Sequence, residues 1–350
     1  MVNPISAPAG KECDARFENP SVTGGFMSLQ RLSARMALNS FVVLGRVGMD
    51  LYADPPGTQI ETAGRFTAAI GGSAGNIAVA LARQGAKVAL LTRVSQDAVG
   101  RYCLAELGRY GVATGHVGFA RAEARTSLAV VETIAEGPQT VLYRNDAADF
   151  ALTEADVAAV DFSAVAALVV TGTALAREPS RAASFAAIAA ARAAGAIVVL
   201  DIDHRAYSWT SDAEAGALYR DAAASADIVI GNDDEFGLMA GDYAKGQALA
   251  QALATDGALV SIYKRGSEGA VSYTADASFE TGIFKVTAQK PMGAGDGFMG
   301  GFLAGLARGH ALEAAVARGA ATAAIIVAGV GCAPASPDTA ALDAFLQSYS

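Results

Sequence analysis

The sequence predicts an α/β fold, a mostly parallel sheet covered by helices on both faces. Three observations carry that expectation. Apolar runs of strand length recur along the chain, they alternate with Ala-rich segments of helix length, and glycines stand just past several of those segments. Strands that are apolar throughout belong to a sheet buried on both sides, which helices between parallel strands provide. The composition agrees. Of 350 residues, 52% are hydrophobic and 17% charged, which excludes wholesale disorder and leaves ample material for a core.

In chain order, strands are expected at Phe41–Leu44, Lys87–Leu91, Ala167–Val170, Ile197–Leu200, Asp227–Ile230 and Ala258–Tyr263. Helices are expected at Ser73–Gln84, Asp97–Tyr110, Pro179–Ala194, Asp212–Ala224 and Lys245–Thr255. Gly85, Gly111 and Gly195 suit left-handed caps, and Pro179 suits a first helical turn. Leu51–Ile70 and Arg125–Tyr143 break this rhythm. They are rich in Thr, Gly and β-branched residues and alternate like half-buried strands, with a turn at Gly137-Pro138. They predict a small β lid, at about 51–70 and 125–145, on one large domain over 40–350. The tail is helical at Gly295–Arg308, Leu312–Val330 and Asp338–Gln347. Residues 1–39 read as a poorly ordered tail, or as translation assigned from too early a start, with Met27 and Met36 as later ones.

Charge and rare residues narrow the function. The net charge of −9 disfavours a nucleic-acid binder, which needs a basic face. No apolar run is long enough for a membrane span, so no membrane partner is expected. Cys13, Cys103 and Cys332, and His116, His204 and His310, are scattered, which fits neither a disulfide framework nor a zinc site. A reducing cytoplasm is the expected compartment.

Chemistry concentrates at predicted strand ends. Gly293-Ala294-Gly295-Asp296 follows an expected β segment, Gly282–Val286, and opens a helix. Glycines let backbone amides approach an anion, and the helix start adds partial positive charge. A carboxylate there would repel a bound phosphate, yet it makes sense as a base that deprotonates an attacking alcohol. An Asp cap with glycines for packing accounts for the same residues. Gly71-Gly72-Ser73-Ala74-Gly75-Asn76 also opens a helix, but its spacing is wrong for a dinucleotide fingerprint. Its amides and the Asn76 amide group suit sugar hydroxyls, and its glycines equally suit close packing. Asp50, after the first strand, suits sugar hydroxyls or a turn. Glu235, in Asn232-Asp233-Asp234-Glu235, suits Mg²⁺ through water, and Lys264 with Gly266 and Gly269 suits a nucleotide-covering turn. Arg205, in Asp201-Ile202-Asp203-His204-Arg205, and Tyr143-Arg144 on the lid suit an acidic substrate, although either Arg alone also suits a surface ion pair. A Walker A sequence is absent.

In this order the motifs resemble the ribokinase-like (PfkB) sugar kinases: Gly71-Gly72 with Asn76, Asn232 with Glu235, Lys264 with Gly266 and Gly269, then Gly293-Ala294-Gly295-Asp296. The resemblance implies a Rossmann-like domain with a β lid. It further implies ATP with Mg²⁺ as donor, Asp296 as base, and Asp50, Gly71, Gly72 and Asn76 around the sugar. It admits a monovalent cation such as K⁺ near Gly331-Cys332-Ala333, and a homodimer through the lid. Within the family, Gly45-Arg46-Val47-Gly48-Met49-Asp50-Leu51-Tyr52 and Asp201-Ile202-Asp203-His204-Arg205 resemble the 5-dehydro-2-deoxygluconokinases of inositol catabolism. The related 2-keto-3-deoxygluconate kinases usually carry Asn where Asp203 stands; there the lid Tyr and Arg and the strand-end Arg grip the substrate carboxylate, which implies that role for Tyr143, Arg144 and Arg205. The alternatives are a 2-keto-3-deoxygluconate kinase, a fructokinase, and a non-catalytic sugar-binding regulator on the same fold.

Overall fold

The computed structural model describes residues 29–121, 123–134, 136–287 and 293–349. Chain order runs α1 (Leu29–Met36), β1 (Ser40–Leu44), β2 (Gly48–Asp54), β3 (Arg65–Gly71), α2 (Ser73–Arg83), β4 (Lys87–Val94), α3 (Ala98–Arg109) and β5 (Val117–Phe119). It continues with β6 (Ser127–Val131), β7 (Thr140–Tyr143), α4 (Glu154–Ala158), β8 (Ala167–Thr171), α5 (Ser180–Ala193), β9 (Ile197–Asp201), α6 (Asp212–Ala223) and β10 (Ile228–Asn232). Then come α7 (Asp233–Ala240), α8 (Gly246–Thr255), β11 (Val260–Lys264), β12 (Ala270–Tyr273), β13 (Ser278–Thr281), α9 (Ala294–Ala307), α10 (Leu312–Val327), α11 (Cys332–Ala335) and α12 (Thr339–Gln347).

The expected α/β body is present. The main sheet has the order β13-β12-β11-β10-β9-β8-β1-β4-β5. It is parallel from β11 through to β5, and antiparallel where β12 and β13 close one edge. Alternate strand residues feed two cores. Phe41 and Val43 pack on the face covered by α2 and α9, while Val42 and Leu44 pack on the face covered by α5 and α6. The chain leaves β1 toward β4 on one side and returns through β8 on the other. Ligands of open α/β sheets bind at such a reversal, outside the carboxyl ends of the strands.

The lid is a separate four-stranded sheet, β3-β2-β6-β7. Its β2–β3 and β6–β7 pairs are antiparallel, with the predicted turn at Gly137, whereas β2–β6 is parallel. The parallel pair arises because the two halves enter the lid from the same edge of the body, Gly48 opposite Ser127.

Three expectations are corrected. Leu29–Met36, assigned to a poorly ordered tail, is a helix whose Leu32 and Met36 are buried in the main core. No strand occupies Gly282–Val286; the strand ends at Thr281. Asp50 does not sit in the turn after β1 but on lid strand β2, opposite Ala69.

Candidate active site

The carboxyl ends of β1, β9, β10 and β11 and the starts of α2 and α9 surround a cavity of about 1000 Å³, roofed by the lid. Arg46, Asp50, Asn76, Asp203, Lys264 and Asp296 all line it. A second cavity of about 790 Å³ adjoins it, walled mainly by apolar groups such as Ile283, Phe298 and Ala324. The two share Lys264, Gly266, Ala294 and Gly295, so the start of α9 stands at their junction.

Gly293 makes that junction. Its φ of +85° is left-handed, and a Cβ there would lie 2.5 Å from the Cβ of Cys332, so only glycine fits. The turn aims the amides of Ala294, Gly295 and Asp296 outward; these first helical N–H groups have no intrahelical acceptor. Asp296 lies in the first turn of α9, buried, and its Oδ2 accepts a 2.8 Å hydrogen bond from Asn76 Nδ2. Burial pushes its carboxyl up to about 7, helped by the Asp203 charge and opposed by the Asn76 bond and by Arg205 and Arg46. A carboxyl poised there exchanges protons near neutral pH, as a general base must. Asn76 is itself buried, with Oδ1 unpartnered and available to a ligand hydroxyl.

Asp50 accepts a hydrogen bond from Tyr52 Oη at 3.0 Å. Gly71 serves Asp50 at close quarters, since a Cβ on it would fall 2.1 Å from Asp50 Oδ1. Asn232 and Glu235 form a capping box at the start of α7. Asn232 Oδ1 accepts from the Glu235 amide, and Glu235 Oε2 accepts from the Asn232 amide, each at 2.8 Å. Glu235 Oε1 takes the His204 amide at 3.0 Å. Asp201, buried between these groups and Lys264, has its carboxyl pushed well up by burial, with Asp203, Glu235 and Asp296 adding to the effect and Lys264 opposing it.

One end of the cavity is rich in arginine. Asp203, at a left-handed φ of +36°, accepts from Arg205 Nη2 at 2.7 Å and from Thr173 Oγ1 at 3.3 Å. Burial acts to raise the Asp203 carboxyl, but Arg205 and Arg46 outweigh it and hold it below the usual range. Arg144 grips Asp149 through two 2.8 Å bonds, both side chains buried, and lies 4.2 Å from the Phe150 ring centre.

The comparisons with known proteins meet at this geometry. A profile of the pfkB family carbohydrate kinases matches residues 38–339. The chain belongs to the pfkB family of carbohydrate kinases. This kinase is 39% identical, over 87% of its length and 94% of the relative's, to a 5-dehydro-2-deoxygluconokinase of Photobacterium profundum, and 33% identical, over 88% and 94%, to one of Geobacillus kaustophilus. Its fold superposes on a PfkB protein of Polaromonas sp. JS666 with TM-score 0.76 at 29% identity, covering 87% of this chain and 99% of that one. A fructokinase of Vibrio cholerae, solved in fructose-, ADP- and calcium-bound form, gives TM-score 0.78 at 27% identity, covering 88% and 99%.

Most residues singled out in the sequence come together in the kinase. Asp50, Gly72, Asn76, Arg144, Arg205, Asn232, Glu235, Lys264, Gly266 and Gly293 to Asp296 line the first cavity, and Gly269 lines the second. Gly71 stands behind Asp50, and Tyr143 is 60% exposed; neither is on a cavity wall. Sequence reasoning passed over Arg46, Arg177, Asp201 and Asp203 as separate site residues, although all four line the cavity. Arg46, Asp201 and Asp203 each sit at the carboxyl end of a strand, the signal that could have found them.

Proposed function

We propose that this kinase transfers the γ-phosphoryl group of ATP to the terminal hydroxyl of 5-dehydro-2-deoxy-D-gluconate, giving the 6-phosphate in myo-inositol catabolism. The observation that carries the reading is the junction of the two cavities at Gly293–Asp296. The apolar cavity suits a nucleotide base, with the Gly266–Gly269 turn against it, and the larger one suits a polar acceptor. Asp296 Oδ takes the hydroxyl proton as the hydroxyl oxygen bonds to the γ-phosphorus. The bond from that phosphorus to the bridging oxygen breaks, and ADP leaves with the electron pair. The amides of residues 294–296 and Lys264 face the charge that develops. The acceptor is taken from the Photobacterium and Geobacillus relatives, and its carboxylate suits the arginine-rich end.

Mg²⁺ fits as a partner of the nucleotide phosphates. Among the described residues no group of three His, Cys, Asp or Glu side chains could hold a metal by itself, and Mg²⁺ needs only one or two carboxylates beside phosphates. Both Glu235 oxygens already accept backbone amides, so Glu235 would hold the ion through water. Bound with ATP, Mg²⁺ supplies charge neutralisation at the phosphates. We also propose a homodimer through the lid, whose Phe66, Val141 and Tyr143 are exposed; light scattering on the purified protein tests it.

The deciding assay follows ADP release with 5-dehydro-2-deoxygluconate, 2-keto-3-deoxygluconate and fructose as acceptors. The first is expected to give the highest kcat/KM. Fructose as the best acceptor would overturn the acid reading and leave a fructokinase.

A further inference from the structure

Arg46 follows β1, and its backbone is clamped to the body of the molecule. Its carbonyl oxygen accepts the Gly75 amide at 3.2 Å, and Gly72 lies so close that a Cβ there would meet that oxygen at 2.7 Å. The side chain is 8% exposed and lines the larger cavity with Asp50, Asn76 and Asp296.

Its partners are too few for a buried cation. Nη1 donates to the Tyr207 hydroxyl at 3.1 Å, and the buried Nε has no acceptor. Arg46 forms no ion pair among the described residues, and the carboxylates whose charge reaches it are held elsewhere, Asp203 by Arg205 and Asp149 by Arg144. Asp203 favours the Arg46 charge from nearby without bonding to it, so the guanidinium keeps donor capacity facing the cavity for an anion that arrives with the ligand. The other cavity arginines differ. Arg144 also leaves Nε unpartnered, but both of its terminal nitrogens are on Asp149, so that pair is neutral. Arg205 donates to Asp203 and to the His204 carbonyl. Arg177 is exposed, where water solvates it.

We propose that Arg46 binds the carboxylate of the acceptor and sets the preference of this kinase for a sugar acid over a neutral sugar. The inference rests on the sugar-acid reading above. It names a fixed residue of the body, not the lid arginine, as the one that reads the charge. The γ-phosphate of ATP is a second possible anion for the same guanidinium, and the test separates the two.

The experiment compares wild type, Arg46→Met and Arg46→Lys with 5-dehydro-2-deoxygluconate and with fructose, and measures KM for ATP. In Arg46→Met the ratio of kcat/KM for the acid to that for fructose should fall roughly ten- to hundredfold, the loss of one charge-assisted hydrogen bond. KM for ATP should hold. Arg46→Lys, which keeps a point charge without the fork, should lie between, and it carries the test if the Met variant does not fold. An unchanged acid-to-fructose ratio, or a raised KM for ATP, would overturn the assignment. A wild type that phosphorylates fructose but no sugar acid would instead sink the substrate reading beneath it.

Discussion

At the scale of single residues, the base role proposed for Asp296 trades stability for chemistry. Its carboxyl titrates near 7 because burial disfavours the charged form. As a base it must be ionised, so kcat/KM should rise with pH up to about 7 and then level off. A profile flat across that range would remove the base assignment. Asp296→Asn keeps the shape and an acceptor for Asn76 but cannot take a proton. Turnover should fall by about 10²–10⁴, while calorimetry still detects ATP and acceptor binding. Stability should move the other way. In the unfolded chain the carboxyl titrates at about 3.9, so the folded state binds the extra proton between about 4 and 7 and loses stability as pH rises through that window. Above it the whole cost of the buried charge is present, and the Asn variant escapes that cost. Melting scans should therefore find Asp296→Asn more stable than wild type at mildly alkaline pH, with the gap closing toward pH 4; a gap independent of pH would mean that the charge is not what burial penalises.

At the scale of elements, the start of α9 separates two kinds of glycine. Gly293 is held by its left-handed φ and by Cys332 at its back. Gly295 faces open cavity, and a Cβ on it would meet only Lys264 Nζ, at 3.3 Å, the far end of a flexible chain. Gly293→Ala should lower both the melting temperature and the rate. Gly295→Ala should melt like wild type yet lose turnover through crowding at the phosphate junction. Equal melting losses would show that both glycines serve packing alone. The elements that the sequence made legible share a trait with this turn: each carries a dense local signal. The central strands were readable because they are buried almost throughout, and the Ala-rich helices because of their length and helix-favouring composition, although each is buried along one side only. α1 was not, since only Leu32 and Met36, one turn apart, are buried in it. The antiparallel strands β12 and β13 have four residues each and follow one another through a tight turn, too short for a period-two pattern to stand out. Site residues with a motif around them, Asp296 and Asn76, were found. Arg46 and Asp203 stand at strand ends inside strings the sequence offered, but nothing local marks them out, because what they do depends on neighbours in space: Arg46 and Tyr207 meet across 161 positions of sequence.

At the scale of the whole molecule, the question is how lid and body are joined. Arg144 follows the last lid strand, and Asp149 belongs to the segment that leads back to the body. Their side chains are 3% and 4% exposed and are joined by two bonds of 2.8 Å. Breaking a buried pair from one side strands the other charge, at a cost of about 3–5 kcal/mol. Replacing both partners with apolar residues of similar volume is often neutral or stabilising. Asp149→Asn should therefore lower the melting temperature by several degrees, and the double variant Arg144→Met with Asp149→Leu should recover it. The double variant also decides what the lid arginine does for the substrate. If Arg144 only ties the lid to the body, the recovered protein keeps its KM for the sugar acid. If Arg144 also grips the carboxylate, KM for the acid rises roughly ten- to hundredfold at wild-type stability, the cost of one charge-assisted bond. With Arg46 as the fixed reader of charge, the first outcome is the expected one, and the lid then contributes Asp50 and shielding from water while the body selects the acid.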